Sequence, residues 1–142
     1  MDKPIAGYGW YIKRIDNALE KEANSNLQAL NLTMQQNRVL ILLAHTEGYT
    51  LSLKTLEERF HAAQSTMAGL VSRLEKKGLV AALQDPTDRR VKLVRLTERG
   101  LALHAQSHQR VVESEERLTS LLTPQEREIL LVCLRKVYEA VR

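Results

Sequence analysis

The chain has 142 residues, 44% apolar and 27% charged, with a net charge of +4 and a single cysteine. That length buries a core without disulfide or metal staples, and the balance of apolar and charged residues excludes a disordered chain. No apolar run reaches the roughly 18 residues of a membrane span, and the longest, residues 39–44, suits a short buried helix.

The lone Cys133 excludes an internal disulfide. Residues 1–5 lack the charged-then-apolar plan of a signal peptide, so a cytoplasmic protein without membrane contact is expected. The charge is unevenly placed. Between Thr50 and Leu96 stand nine Lys/Arg against five Asp/Glu, while the flanks are balanced. Localised positive charge is a footprint for an acidic partner, most often nucleic acid.

Residues 7–30 read as a helix, with Tyr8, Tyr11 or Ile12, Ile15, Leu19, Ala23 and Leu27 at helical spacing. Trp10 falls off that stripe, where it serves either a second contact surface, such as a partner subunit, or the rim of a monomer. Thr33 with Gln36 is a capping box that opens a second helix, apolar at Val39, Leu40, Leu42 and Leu43 and ending before Gly48. An extended segment, Tyr49-Thr50-Leu51, leads to Ser52, the N-cap of a short helix Leu53–Phe60 with Leu53, Leu56 and Phe60 inward.

His61-Ala62-Ala63 connects this helix to another, Gln64–Lys77. Its spacing buries Met67, Leu70, Val71 and Leu74 and turns Gln64, Ser65, Ala68, Gly69, Ser72 and Arg73 outward. Two helices joined by a three-residue turn, the second small and polar outside, form a helix-turn-helix plan. A helix entering the major groove needs small outer residues near the base edges and donors for bases and phosphates. Gly69 inside a helix costs about 1 kcal/mol against alanine; close approach to another surface and simple tolerance both account for it.

Gly78 stops that helix. Two apolar runs, 79–83 and 91–96, flank the polar tip Gln84 to Arg90, which ends in two arginines. Strand propensity and the Asp-Pro-Thr-Asp turn chemistry predict a hairpin, and a basic-tipped hairpin after a helix reads as a wing laid on a polyanion. Thr97 caps a further helix running to about Leu121, with a sparse stripe of Leu101, His104 or Ala105, His108, Val111 or Val112, Glu115 and Leu118. Thr123-Pro124-Gln125-Glu126 combines a cap, a first-turn proline and a glutamate three residues on. The last helix then runs to Val141, apolar at Ile129, Leu130, Cys133, Leu134, Val137, Tyr138 and Val141. A monomer this small cannot easily bury the terminal stripes; a two-fold dimer would.

Asp88, Arg90, Val94, Leu96, Thr97 and Gly100 at their spacing resemble the wing signature of the MarR family of bacterial and archaeal regulators. Ser65-Thr66-Met67 and the run Leu74 to Val80 are similar to its recognition helix and helix exit, and the order of elements follows the family along essentially the whole chain. The resemblance implies a mainly α (α+β) fold in one domain, 1–142. A winged helix-turn-helix would occupy 33–96, and long dimerisation helices 1–30 and 97–142. It implies a homodimeric, effector-responsive repressor of transcription acting on double-stranded DNA at a pseudo-palindromic operator. The helix from Gln64 would enter the major groove and the wing the adjacent minor groove. There Arg90 matches the signature arginine, Asp88 the acid that orients it, and Arg89 adds a second cation. Gln64, Ser65, Thr66, Ser72 and Arg73 would contact bases or phosphates, while Lys54 and Thr55 would position the backbone. Ala68-Gly69 and Ala81-Ala82 depart from the family, which often carries Thr or Ser then Arg at the first place and an arginine at the second. Base readout would be thinner and the wing more important.

Relatives of this kind sense a small phenolic or anionic ligand in a crevice between the dimer helices and the DNA-binding lobe. The candidate liners are Trp10, Tyr11, Arg14, Arg38, His45, His104 and His108. His104 and His108 stand one turn apart and suit such a ligand, a metal at i, i+4 spacing, or a partly exposed dimer interface. With no Cys or carboxylate cluster beside them, no metal or cofactor is expected. Cys133 reads as packing; the peroxide-sensing branch of the family carries its cysteine in the first helix, where this chain has none. There is no Gly-rich phosphate loop, GxSxG elbow or HExxH, so no enzyme and no catalytic residue are expected. The competing reading is a winged-helix protein-interaction or dimerisation module without specific DNA binding.

Overall fold

The computed structural model describes residues 6–142, and the signal-peptide reading of residues 1–5 lies outside them. In chain order the elements are α1 (Tyr8–Ala29), α2 (Met34–Ala44), β1 (Thr50–Ser52), α3 (Leu53–Phe60), α4 (Gln64–Lys76), β2 (Val80–Gln84), β3 (Lys92–Leu96), α5 (Glu98–Leu118) and α6 (Pro124–Val141). They divide into two compact units, Met1–Arg110 and Val111–Arg142, with the boundary inside α5.

The first unit holds the winged helix. Its helix starts follow their local signals. The Thr33 hydroxyl accepts from the Gln36 N–H at 3.1 Å while Gln36 Oε1 accepts from the Thr33 N–H at 3.2 Å. Ser52 Oγ accepts from the Thr55 N–H at 3.0 Å. Three helices stop in the same way. Asn31 (φ 53°), His61 (φ 49°) and Gly78 (φ 74°) turn left-handed. In each case the next N–H reaches back five residues: Leu32 to Leu27, Ala62 to Glu57 and Leu79 to Leu74, at 2.9–3.0 Å. The turn between α3 and α4 is thus closed at His61 without a glycine.

The sheet has the order β1-β3-β2, all antiparallel. The hairpin strands begin one residue later than the apolar runs do. The Leu79 N–H closes α4, and the Val91 N–H bonds to the Asp88 carbonyl at 3.0 Å, so neither donates to the ladder. The extended entry before α3 is a third strand, Leu51 lying opposite Val94. Tyr49 belongs instead to a 3₁₀ turn, Glu47–Tyr49, with φ 56°.

The core is built on Val39, Leu40, Leu43, Leu56, Met67, Leu74 and Val94, each with under 2% of its surface exposed. Leu53, Phe60 and Leu70 are only partly buried. One polar side chain, Gln36, is buried with them. It is satisfied by Thr33 and by the Lys77 ammonium, which donates to Gln36 Oε1 at 2.8 Å and also to the Asn31 carbonyl. Where α5 leaves the wing, Thr97 makes four bonds, one of them accepted by its carbonyl from the Leu101 N–H at 2.8 Å. Its N–H donates to the Leu79 carbonyl at 3.1 Å. Its hydroxyl donates to the Gly78 carbonyl at 2.7 Å and accepts from the Gly100 N–H at 3.0 Å. Within this unit α1 buries only Leu27; Tyr8, Trp10, Tyr11, Ile12 and Ile15 are exposed.

In the second unit the Thr123–Glu126 capping box forms with Pro124 in the first turn of α6. α5 ends at Leu118, not near Leu121, because the Ser120 and Leu122 N–H groups bond to carbonyls three residues back. α6 buries none of its apolar residues: Ile129, Leu130, Leu134, Val137, Tyr138 and Val141 are all exposed. Cys133 is exposed too, so its own chain does not supply the packing expected of it. Among the described residues no helix is long and apolar enough to cross a membrane.

Candidate nucleic-acid interface

α4 is held from behind by Met67, Val71 and Leu74, which leaves Gln64, Ser65, Thr66, Ala68, Ser72 and Arg73 exposed. Its N-cap is Ala63, which offers no side-chain acceptor. The first N–H groups of α4 therefore have no cap of their own and face outward with the positive end of the helix dipole.

The wing tip is ordered by two aspartates. Asp85 Oδ1 accepts from the Thr87 N–H at 2.8 Å and its hydroxyl at 2.7 Å. These bonds hold the Asp85 carboxyl below the usual carboxylate range. Asp88 accepts from Arg90 three times, through the backbone N–H at 3.0 Å, Nε at 3.1 Å and Nη2 at 3.2 Å. The Arg90 side-chain bonds, then its backbone bond, keep Asp88 below its ordinary value. The pair is a two-oxygen fork. It aims a guanidinium whose side chain stays 91% exposed. Arg89 is exposed beside it.

Between the start of α3, the start of α4 and the root of the wing lies a cleft of about 420 Å³. Lys54, Gln64, Arg90 and Lys92 line it, with Ser52 and Glu57. Three of the predicted residues are thus brought together. Thr55 is not among its lining; its hydroxyl bonds to Ser52 Oγ at 2.8 Å in the helix cap. Lys92 was counted in the charge excess and given no role. No signal in the chain pointed to it: Arg90 lies in the turn before β3 and Lys92 opens the strand, so strand period does not pair them. Thr66 and Arg73 lie on a separate cavity beside α4, with Gln35, Phe60 and Leu70.

The seven residues named as effector liners fall into three contact groups. Trp10 packs edge-on against Tyr11 at 4.9 Å, and Arg14 lies over the Trp10 ring at 4.9 Å. Arg38 lies over Phe60 at 4.8 Å. His104 joins His45 at 5.7 Å and His108 at 6.4 Å between ring centres. Among the described residues no three His, Cys, Asp or Glu side chains are arranged to hold one metal ion.

His104 carries a consequence for stability. Its Nδ1 is buried without a hydrogen-bond partner. Burial, and then the nearby His45 and His108, hold its pKa below the ordinary histidine value. The unfolded chain therefore takes up a proton at about pH 6.5 while the folded chain does not. Stability present above that pH is lost as pH falls from about 6.5 toward the lowered folded value. The urea midpoint is expected to drop between pH 7.5 and pH 5.5, and the drop to shrink in His104→Leu. An equal drop in both proteins would remove the role given to His104.

A sequence model of the MarR family matches residues 32–92. The chain is 33% identical over 104 residues to the uncharacterised HTH-type transcriptional regulator YfiV of Bacillus subtilis (strain 168), covering 73% of this chain and 64% of that protein. It is 31% identical over 105 residues to the HTH-type transcriptional regulator FarR of Neisseria gonorrhoeae, covering 74% of this chain and 70% of that one. The alignments thus span about two thirds of either relative's length. Among solved structures, the F27L mutant of S. aureus MepR bound to an oligodeoxyribonucleotide is similar with a TM-score of 0.79 and 26% identity, over 96% of this chain and 99% of that one.

Proposed function

This chain belongs to the MarR family, and from that premise we propose that it is a cytoplasmic, DNA-binding transcriptional regulator. It works as a homodimer and represses from a pseudo-palindromic operator until an effector binds. The observation that carries the reading is the joint cleft, where Lys54, Gln64, Arg90 and Lys92 converge from helix-turn-helix and wing beside the Asp88-held guanidinium. Such a cleft suits the phosphate backbone, which supplies affinity, while the small outer residues of α4 suit the base edges. That S. aureus MepR is bound to an oligodeoxyribonucleotide in a similar fold supports the same partner here. The apolar faces of α1 and α6, exposed in the single chain, support the dimer. Two copies of α4 would then reach half-sites about 34–36 Å apart. His45, His104 and His108, with Trp10, Tyr11, Arg14 and Arg38, are the residues assigned to the effector crevice.

The test is selection of duplexes from a random library, followed by anisotropy titration over a salt series. Log affinity should fall linearly with log salt, by about 0.9 for each phosphate neutralised. Sedimentation should show a dimer at micromolar concentration. Absence of salt-sensitive duplex binding would favour the protein-interaction module, for which Ala68-Gly69 and Ala81-Ala82 leave room.

A further inference from the structure

The wing cleft meets α4 at Gln64, and a second cleft, of about 420 Å³, meets it at Thr66, Leu70 and Arg73. Gln64 and Arg73 are nine positions apart. At about 3.6 residues per turn that is two and a half turns, so the two clefts lie on opposite edges of the helix. The exposed Ser65, Ala68 and Ser72 fall between them. We propose that the second cleft is a phosphate clamp, in which Arg38 and Gln35 hold the strand of the duplex that the wing cleft does not. The clamp rests on the DNA-binding reading. It adds a second backbone anchor to that reading and takes Arg38 out of the effector set.

A helix about 10–12 Å across with its side chains fills a major groove about 12 Å wide. Both of its edges then come up against a sugar-phosphate wall, and the two walls belong to opposite strands. Lys54, Arg90 and Lys92 supply the cations at the first edge. At the second edge Arg73 lines the cleft with Thr33, Gln35 and Thr66, and none of the lining residues is acidic.

Arg38 is the further cation there. Its guanidinium carbon lies 4.8 Å from the centre of the Phe60 ring, at the end of α3, and its Nη1 donates to Gln35 Oε1 at 3.3 Å. Phe60 and Gln35 both line the cleft. The ring contact and the bond thus restrict a long, exposed side chain before any partner arrives. Its remaining N–H donors keep the planar fork that fits two phosphate oxygens. Among the described residues Gln35 and Phe60 are its partners. Neither is an acid, and neither is one of the residues it was grouped with for an effector. A phosphate held at each wall fixes the depth and roll of α4 in the groove, which an anchor on one side leaves free. The clamp carries no sequence information of its own.

The experiment uses the whole chain and the duplex selected from the random library, with methylphosphonate placed at one phosphate at a time to remove its charge. Arg38→Gln should bind every duplex about tenfold more weakly, keep their ranking, and lower the salt slope by about two units, one for each protomer of the proposed dimer. Arg38→Lys keeps the charge and should keep the slope. Methylphosphonate at one position of each half-site should weaken wild type but not Arg38→Gln. The position whose effect disappears in Lys92→Ala should lie across the major groove, on the other strand. A second variant, Gln35→Glu on the exposed face of α2, pairs Arg38 with an acid and should weaken binding as Arg38→Gln does, with the urea midpoint unchanged. An unchanged slope in Arg38→Gln, a methylphosphonate profile identical to wild type, a lost phosphate on the same strand as the Lys92 position, or full affinity in Gln35→Glu overturns the clamp and leaves the DNA reading standing. A wild type that binds no duplex overturns both.

Discussion

Gly100→Ala is expected to destabilise the protein by about 3 kcal/mol, at the upper end of the cost of overpacking, and to lower Tm by roughly 10 °C. A Cβ at that position would stand 2.1 Å from the Leu79 carbonyl oxygen, 3.0 Å from its carbon and 2.7 Å from Leu96 Cδ1. The leucine methyl can rotate aside; the carbonyl cannot. It accepts from the Thr97 N–H, and Thr97 in turn binds Gly78 and Gly100. Relief of the clash therefore requires α5 to lift from the α4 stop and to break the bonds that start it. Gly69→Ala is the matched control. Its nearest contact would be Arg73 Nη1 at 3.7 Å, so the helix should gain about 1 kcal/mol from the better helix former. Urea unfolding of the two variants should move in opposite directions, and a Gly100→Ala protein within 1 kcal/mol of wild type would refute the account. The control also separates two explanations of Gly69. Nothing inside the chain requires a glycine there, so weaker duplex binding by the stabilised variant would assign it to close approach of the DNA.

Arg90→Ala is expected to weaken duplex binding by about 30- to 100-fold, from a contact of this kind worth about 1–3 kcal/mol and present twice in the proposed dimer. The salt slope should become shallower by about one unit per wing, hence by about two. The reason lies in the partner left behind. Asp88 is held ionised by its three bonds from Arg90, and two of them come from the guanidinium. Removing the guanidinium leaves a carboxylate at the tip of a wing that we propose to lie on a polyanion. Arg89→Ala removes a cation without exposing an acid, so its effect should be smaller. Asp88→Asn should be milder still, since Arg90 keeps its charge and loses only its orientation. Lys92→Ala should weaken all duplexes alike, as a backbone contact does. Unchanged affinity and unchanged slope in Arg90→Ala would remove the wing from the interface.

Much of this was legible in the residues. The capping boxes at Thr33 and Thr123, the Ser52 cap, the Gly78 stop and the hairpin depend on groups within a few positions of each other. Short-range hydrogen bonding and side-chain period therefore suffice to place them. The resemblance carried the Asp88–Arg90 pair for the same reason, because the two are only two residues apart. The exposure of the α1 and α6 faces also followed from counting, since a short chain has too little interior to cover them.

Other features depend on residues far apart in the chain. Thr50 to Ser52 form a strand because β3, some forty residues later, offers an open edge; three residues carry no period of their own. His61 adopts a left-handed turn, a conformation most often given to glycine, between α3 and α4, whose Leu56 and Met67 are both buried in the one core. Lys92 joins Lys54 only where the wing root meets α3, and Arg38 meets Phe60 only where α2 passes the end of α3. Gly100 showed in the chain as a signature glycine and in the fold as the glycine, among those of the described residues, where a helix passes a carbonyl too closely for a side chain. Periodicity and capping report the chain's own neighbourhood; a cleft, a charge pair across elements or a forbidden Cβ arises only when distant segments are packed to the density of a protein interior.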